Sequence, residues 1–154
     1  WSGEYVVGYP DGKVCYILKD KYSGATATKS TFTYDKLESP AFDETNIVYD
    51  AAYNTITIAK ITDTDFYSIK YGDMYVGWEA STGNSCAFSS VVPSASTPDY
   101  QWTPTMVDNL IVLTCTSFEA GKKPRLFQFN SNAGQERFAI YASTQKSVML
   151  YKLQ

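Results

Sequence analysis

The sequence contains no histidine, so the side chains that could support catalysis are paired carboxylates, a Ser-Lys pair or the oxygen ligands of a metal. Ser-His-Asp and Cys-His nucleophiles and the HExxH zinc site all depend on an imidazole. Most acidic residues lie beside turn formers, as in PDGK, YGDM, TPDY and VDNL. An Asp in such a context hydrogen-bonds its own backbone turn. We therefore expect no enzyme, while a glycosidase-like pair of carboxylates stays open as an alternative.

Cofactor and nucleic-acid chemistry also lack a sequence signal. Asp63 and Asp65 are spaced like the start of a calcium loop, but the Gly and Glu of an EF-hand are missing. No GxGxxG, GxxxxGK[ST] or GxSxG motif occurs. The net charge is −3, and the cations gather only at Lys122, Lys123 and Arg125, where we expect a solvated loop. We expect no cofactor and no metal. We also expect no nucleic-acid partner, because nucleic-acid binding needs a clustered basic face.

Aromatic side chains supply the strongest binding chemistry, with 13 Tyr, 8 Phe and 3 Trp. An exposed ring can stack on a pyranose while nearby Asp, Asn or Gln side chains hold its hydroxyls. Trp102 stands in a segment of alternating residues and is typical of a core residue, so we favour Trp78 as the stacking ring. The candidate ligand-binding residues are Trp78, Glu79, Asn84, Asp99 and Tyr100.

A second hypothesis is a protein-interaction module, such as a protease inhibitor or an adhesin. It rests on the segment VVPSASTPDY at 91–100, whose prolines would stiffen a projecting loop and reduce the entropy lost on binding. A third is a spacer domain without any ligand. The sequence does not separate these alternatives from glycan binding.

The elements that must position these residues are β-strands. Apolar residues alternate with polar ones along most of the chain, and turn clusters separate the runs. No segment approaches the roughly 18 apolar residues of a membrane span. We predict one all-β domain over 1–154 with about twelve or thirteen short strands, including one at 46–51 and a hairpin over 137–152.

Three similar stretches predict how the strands are arranged. Each runs from one strand through a tight turn to a second strand and then to a Gly turn at Gly24, Gly83 or Gly134. Units of roughly fifty residues with four strands each are typical of a β-trefoil. We predict a β-trefoil or trefoil-like closed barrel of about 12 short strands, in which the last strand lies beside the first and removes an open edge. A β-sandwich is the alternative.

The end of the chain also resembles a known group of proteins. Its matching residues are Phe129-Asn130, Arg137-Phe138, Tyr141 and Leu150-Tyr151-Lys152, after a Trp strand in 99–115. This pattern resembles the C-terminal segment of secreted, mostly uncharacterised β-rich modules of gut Bacteroidetes. The resemblance covers about a third of the chain. It implies an exported accessory domain and names neither a ligand nor catalytic residues.

The cysteines alone do not determine the cellular compartment of the protein. Cys15, Cys86 and Cys115 lack CxxC spacing and lie in apolar contexts, so we expect small buried side chains, with one disulfide as the alternative. The sequence starts with Trp1 rather than Met, and we expect a processed chain. With the resemblance, this predicts a secreted or cell-surface monomer whose partner is a glycan or a surface protein.

Overall fold

The computed structural model describes residues 1–43, 45–48, 50–117 and 121–153, and only the backbone of Ser81. Within these ranges the regular structure consists of thirteen strands and two single-turn 3-10 helices, at Ala80–Thr82 and Pro98–Tyr100. The predicted all-β class is confirmed. The strands are β1 (Gly3–Asp11), β2 (Val14–Lys21), β3 (Lys29–Ser30), β4 (Phe32–Glu38), β5 (Ile56–Lys60), β6 (Tyr67–Tyr71), β7 (Met74–Gly77), β8 (Cys86–Ser89), β9 (Trp102–Val107), β10 (Leu110–Cys115), β11 (Leu126–Asn130), β12 (Arg137–Tyr141) and β13 (Met149–Lys152).

The strands form where the residue pattern has period two. In β10, Ile111, Leu113 and Cys115 are buried while the residues between them are half-buried. Side chains alternate between the two faces of a strand, so this pattern gives β10 one face toward the core. The turn from β9 to β10 is Asp108-Asn109, with φ of 50° and 63°. Two successive residues with positive φ make the type I′ turn that suits a two-residue hairpin.

All strand pairings are antiparallel and join the thirteen strands into one continuous sheet. β1 pairs with β5, β5 with β6, β6 with β9, and β9 with β10. Val148, the residue before β13, bridges Ile111 of β10. β13 in turn pairs with β1 through registers such as Val6 opposite Tyr151. The predicted placement of the last strand beside the first is confirmed.

Two short pairings bring the three thirds of the chain together. β3 pairs with β8, with Ser30 opposite Cys86, and β4 pairs with β12 through Phe32 opposite Phe138. Under these joints lies an aromatic core, in which the Phe32 ring is 5.6 Å from Phe88 and 6.0 Å from Phe127, measured between ring centroids. Edge-to-face contacts at such distances stabilise the core beyond area burial. The residues next to the joints are therefore firmly positioned.

Two predicted local elements are wrong. No strand forms over the described part of 46–51, where Tyr49 lies outside the described residues and Ile47 makes only an isolated bridge to Phe42. The Asp43 carboxylate instead accepts hydrogen bonds from the backbone N–H groups of Thr45 and Asn46, which fixes a turn. In 137–152 both strands exist, but they do not form a hairpin: β12 pairs with β11 and β4, and β13 pairs with β1.

Cys15, Cys86 and Cys115 are all free and buried, so the disulfide alternative is not observed. Burial raises the pKa of the Cys15 and Cys115 thiols to about 11. At neutral pH both are protonated, apolar side chains that pack in the core.

Within the described ranges, no helix has both the length and the apolar character required to span a bilayer.

Candidate functional site

The predicted site residues Trp78, Glu79 and Asn84 lie close to Asp99 and Tyr100. The backbone N–H of Trp78 donates to the carbonyl oxygen of Asp99 over 2.8 Å. The Tyr100 hydroxyl donates to Glu79 Oε1 over 2.9 Å. Asn84 belongs to the same region, because its Oδ1 accepts a 2.9 Å hydrogen bond from Arg125, which in turn covers the Trp78 ring. We call Trp78, Glu79, Asp99, Tyr100 and Arg125 the Trp78 cluster.

Trp78 does not offer a stacking surface. Its side chain is 1% exposed, and its indole N–H donates to the carbonyl oxygen of Gly83 over 2.6 Å. The guanidinium carbon of Arg125 lies 4.6 Å from the ring centroid, a cation–π arrangement. The prediction of an exposed Trp78 platform is therefore wrong. The indole is a core side chain, and Arg125, expected in a solvated loop, is a half-buried lid over it.

Gly77 allows the two segments to approach so closely. A Cβ at this position would lie 2.2 Å from the carbonyl oxygen of Asp99 and 2.5 Å from Cδ1 of Tyr100. Both distances are far shorter than van der Waals contact, and one of them is to backbone. Only glycine lets β7 end against the 3-10 helix that carries Tyr100.

The Tyr100 hydroxyl is a permanent donor in this cluster. Burial, followed by its hydrogen bond to Glu79, raises the pKa of the phenol above its ordinary value. The carboxylate of Glu79 therefore has a lasting partner in the Tyr100 hydroxyl. These contacts hold the end of β7 against the segment before β9.

A second region has the opposite character. Three cavities of about 320, 230 and 320 Å³ share Thr31 and Arg137 in their walls. We call them together the Arg137 groove. The two larger ones reach the lower end of the range of about 300–1,000 Å³ that small-molecule pockets occupy. Asn84 lines the smaller cavity, so one predicted site residue belongs to the groove.

The strand joints position this groove. Thr31 lies between β3 and β4, Ser85 precedes β8, and Arg137 begins β12. The far wall is the loop at 144–146, which Gln128 holds at one point: its side-chain amide exchanges two 3.2 Å hydrogen bonds with the backbone of Gln145. Gln128 is 3% exposed, so the loop is anchored from inside the core.

Some polar groups of the groove have no hydrogen-bond partner among the described residues. Tyr141 is 4% exposed and lines the smaller cavity, yet its hydroxyl has no hydrogen-bond partner among the described residues. Among the described residues, Thr116 Oγ1 is the one fully buried side-chain oxygen or nitrogen that lacks a hydrogen-bond partner. The Tyr141 hydroxyl therefore keeps some accessible surface, and Tyr141 is one of the residues that line the cavity. Asn130 is similar: its Oδ1 accepts from the N–H of Asn132, while its amide NH₂ has no described partner.

An exposed aromatic ring stands at the side of these polar groups. Tyr22 is 53% exposed and lines both larger cavities. Tyr34 and Phe32 line one of them as well, so its wall is partly aromatic. The combination of an accessible ring with convergent donors and acceptors is typical of sites that bind small polar molecules.

A further cavity, of about 550 Å³, lies between the turn at 10–13 and the turn at 108–110. Asp43 and Asp108 are among the residues that line it. Hydrogen bonds from the backbone of Thr45 and then Asn46 lower the pKa of Asp43, whereas a general acid needs a raised one. Glu44, which follows Asp43 in the sequence, lies outside the described residues. In the described ranges no three His, Cys, Asp or Glu side chains gather as a metal site.

The loop at 91–100 is folded on itself rather than extended. The N–H of Ser94 donates to Thr97 Oγ1 over 2.8 Å, and the Gln101 amide donates to the carbonyl oxygen of Ser94 over 2.8 Å. Val91 and Val92, which open the loop, are 66% and 70% exposed. The loop thus packs at its C-terminal end and exposes two apolar side chains at its start.

Sequence reasoning missed Tyr22, Tyr141 and Arg137 as site residues. Tyr141 and Arg137 entered only through a resemblance, and their segment was predicted as one strand of a hairpin. One signal was present for Tyr22, because it stands in the turn cluster DKYSG, where no strand face is available to bury a ring. Trp102 was correctly taken as core: it is 0% exposed and donates from its indole to the carbonyl oxygen of Val76 over 2.8 Å.

No protein-family model matches the sequence. The comparison with curated proteins likewise gives no significant match.

Proposed function

We propose that this protein is a non-catalytic binding module that recognises carbohydrate, and that the sugar binds in the Arg137 groove. The observation that carries the proposal is the set of polar groups that line the groove without a protein partner. Among the described residues these include the Tyr141 hydroxyl and the Asn130 amide. Groups of this kind must bond to water or to a ligand, because leaving them unpaired costs free energy.

A sugar suits this chemistry better than an apolar ligand. Its hydroxyls both donate and accept, so they can pair with the Tyr141 hydroxyl, the Asn130 amide and the hydroxyl of Thr31. The apolar face of a pyranose can stack on the exposed ring of Tyr22, on the other side of Thr31. The predicted chemistry of ring and amide is retained, but its location changes from Trp78 to Tyr22.

For the fold we propose a β-trefoil. Its support is the circuit of pairings β1–β5–β6–β9–β10, closed back to β1 through β13. Three hairpin-like pairs, β2 with β4, β7 with β8 and β11 with β12, stand outside this circuit. The arrangement divides the chain into units of four main strands at 3–60, 67–107 and 110–152. The Arg137 groove then lies where the three units meet.

A second candidate is a protein-interaction module that uses the loop at 91–100. The exposed side chains of Val91 and Val92 favour it, because two adjacent apolar side chains at a loop start could insert into a partner. In either case we propose an exported accessory domain, which the resemblance of residues 99–152 to secreted modules supports.

A glycan array with the purified protein tests the proposal. We expect binding to at least one oligosaccharide class, and we expect Tyr22→Ala to weaken it by about tenfold or more through the loss of ring stacking. The matched control is Trp1→Ala, which removes an aromatic ring that is 41% exposed and lies outside the groove.

The proposal is wrong if the folded wild-type protein binds no glycan on the array. It is also wrong if Tyr22→Ala and Trp1→Ala retain full binding alike. Melting curves of both variants show whether each is folded before its binding is compared.

A further inference from the structure

We infer that the ligand of the Arg137 groove is an anionic sugar, and that the Arg137 guanidinium binds its carboxylate or sulfate group. This inference rests on the proposed function, because it names the class of glycan that the same groove selects. It goes further by assigning a charge to the ligand and a recognition role to one residue.

Arg137 occupies the centre of the groove. It lines all three cavities, a property that it shares with Thr31. The pairing of Phe138 with Phe32 fixes the backbone of Arg137 beside the start of β4. A ligand in any of the cavities therefore lies next to this side chain.

The Arg137 guanidinium has no assigned protein partner. Across the described ranges it makes no hydrogen bond and no ion pair, not even with the adjacent Glu136. Arg125 provides the contrast, since its guanidinium is satisfied by Asn84 and by the Trp78 ring. Of the two arginines in the chain, Arg137 is the one available to a ligand.

The surrounding charge favours an anion at this place, although the chain as a whole carries −3. Among the described residues, the charged side chains that line the groove are Arg137, Lys29 and Glu136, two cations and one acid. The net negative charge of the molecule repels an anionic ligand at long range, whereas the local positive charge of the groove attracts it. An anion would therefore bind at this groove rather than elsewhere on the surface.

The geometry of guanidinium explains why a carboxylate or sulfate is the matching group. Arginine presents a planar fork of N–H donors that can bond two oxygens of one anion at once. A neutral sugar hydroxyl carries no charge and offers the guanidinium only one oxygen. The neighbouring amides of Gln135 and Asn130 can then bind the hydroxyls of the same sugar.

The test is an array of uronate-, sialate- and sulfate-bearing oligosaccharides, each printed beside its methyl-esterified or desulfated counterpart. We expect the wild-type protein to bind at least one anionic member at least tenfold more tightly than its neutral counterpart. In Arg137→Gln this preference should disappear. Lys123→Gln is the control, because it makes the same charge change outside the groove.

The outcomes separate this inference from the proposed function. If the wild type binds neutral counterparts equally well, or if Arg137→Gln keeps the preference, the inference is wrong and carbohydrate binding stands. If the folded wild type binds no member of either set, both fall. The class of anion preferred by the wild type distinguishes carboxylate from sulfate.

Discussion

The Trp78 cluster and the Arg137 groove contain similar residue types but use them in opposite ways. Each has aromatic rings, side-chain amides or carboxylates and one arginine. In the Trp78 cluster, Tyr100 is bonded to Glu79, and Arg125 covers the indole. In the groove, the Tyr141 hydroxyl and the Arg137 guanidinium have no partner within the described part of the chain.

The comparison shows that the same residue types can be paired with one another in one region and left without a described partner in another. A polar side chain contributes to stability when another protein group satisfies it, and to binding when it is held in place but left unpaired.

The largest effect is expected from Trp78→Ala. Truncation of a fully buried Trp removes its packing and leaves a cavity, which costs about 3–5 kcal/mol of unfolding free energy. Urea denaturation measures the loss. Trp1→Ala, the matched change at an exposed ring, should alter stability by no more than about 0.5 kcal/mol. A loss below about 1 kcal/mol for Trp78→Ala would show that the indole is not a core residue.

A smaller loss is expected from Tyr100→Phe. The change removes the hydroxyl that donates to Glu79 and leaves a partly buried carboxylate without this partner. We expect a loss of about 1–2 kcal/mol, at the low end for charge-assisted hydrogen bonds because the pair is only partly buried. The same denaturation experiment checks it. An unchanged midpoint would mean that water replaces the hydroxyl fully.

The same hydroxyl should contribute to alkaline instability. In the unfolded chain the Tyr100 phenol ionises near pH 10, whereas burial and Glu79 raise its pKa in the folded protein. Above about pH 10 the unfolded state therefore binds fewer protons, and stability falls as pH rises. Below that range the contribution is fully present.

Unfolding free energies measured between about pH 8 and pH 11 test this point. The wild-type protein should lose stability more steeply than Tyr100→Phe, which cannot ionise at this position. Tyr71 and Tyr151 also have raised pKa values and remain in both proteins, so both curves should still fall. Parallel curves would contradict the assignment.

Much of the fold could be predicted from local pattern. The period of two marked the strands, as in β10, where buried residues alternate with half-buried ones. The prediction of a strand at 46–51 is wrong because the Asp43 side chain fixes a turn there, and the pattern of apolar residues does not predict that turn. The hairpin over 137–152 failed because each strand has a better partner elsewhere in the sheet.

The candidate site was harder to predict, for a physical reason. The five predicted residues do meet, but whether Trp78 is exposed depends on Arg125, which is 47 positions away in the chain. The groove depends on pairings of single residues, such as Phe32 with Phe138. A sequence pattern reports which face of a strand is apolar, and it does not report which polar groups remain unpaired after the strands assemble.

The most direct test of the account is a matched pair of Tyr→Phe changes, one in each region. Tyr141→Phe and Tyr100→Phe each remove one hydroxyl oxygen, and both variants are measured for unfolding free energy and for affinity to the best-bound glycan of the array. We predict that Tyr141→Phe changes stability by less than about 0.5 kcal/mol and weakens affinity several-fold, because its hydroxyl has no protein partner among the described residues. Tyr100→Phe should lose stability and keep its affinity. The reverse pattern, with affinity lost at Tyr100 and stability lost at Tyr141, would contradict the division between a structural lock and a binding groove.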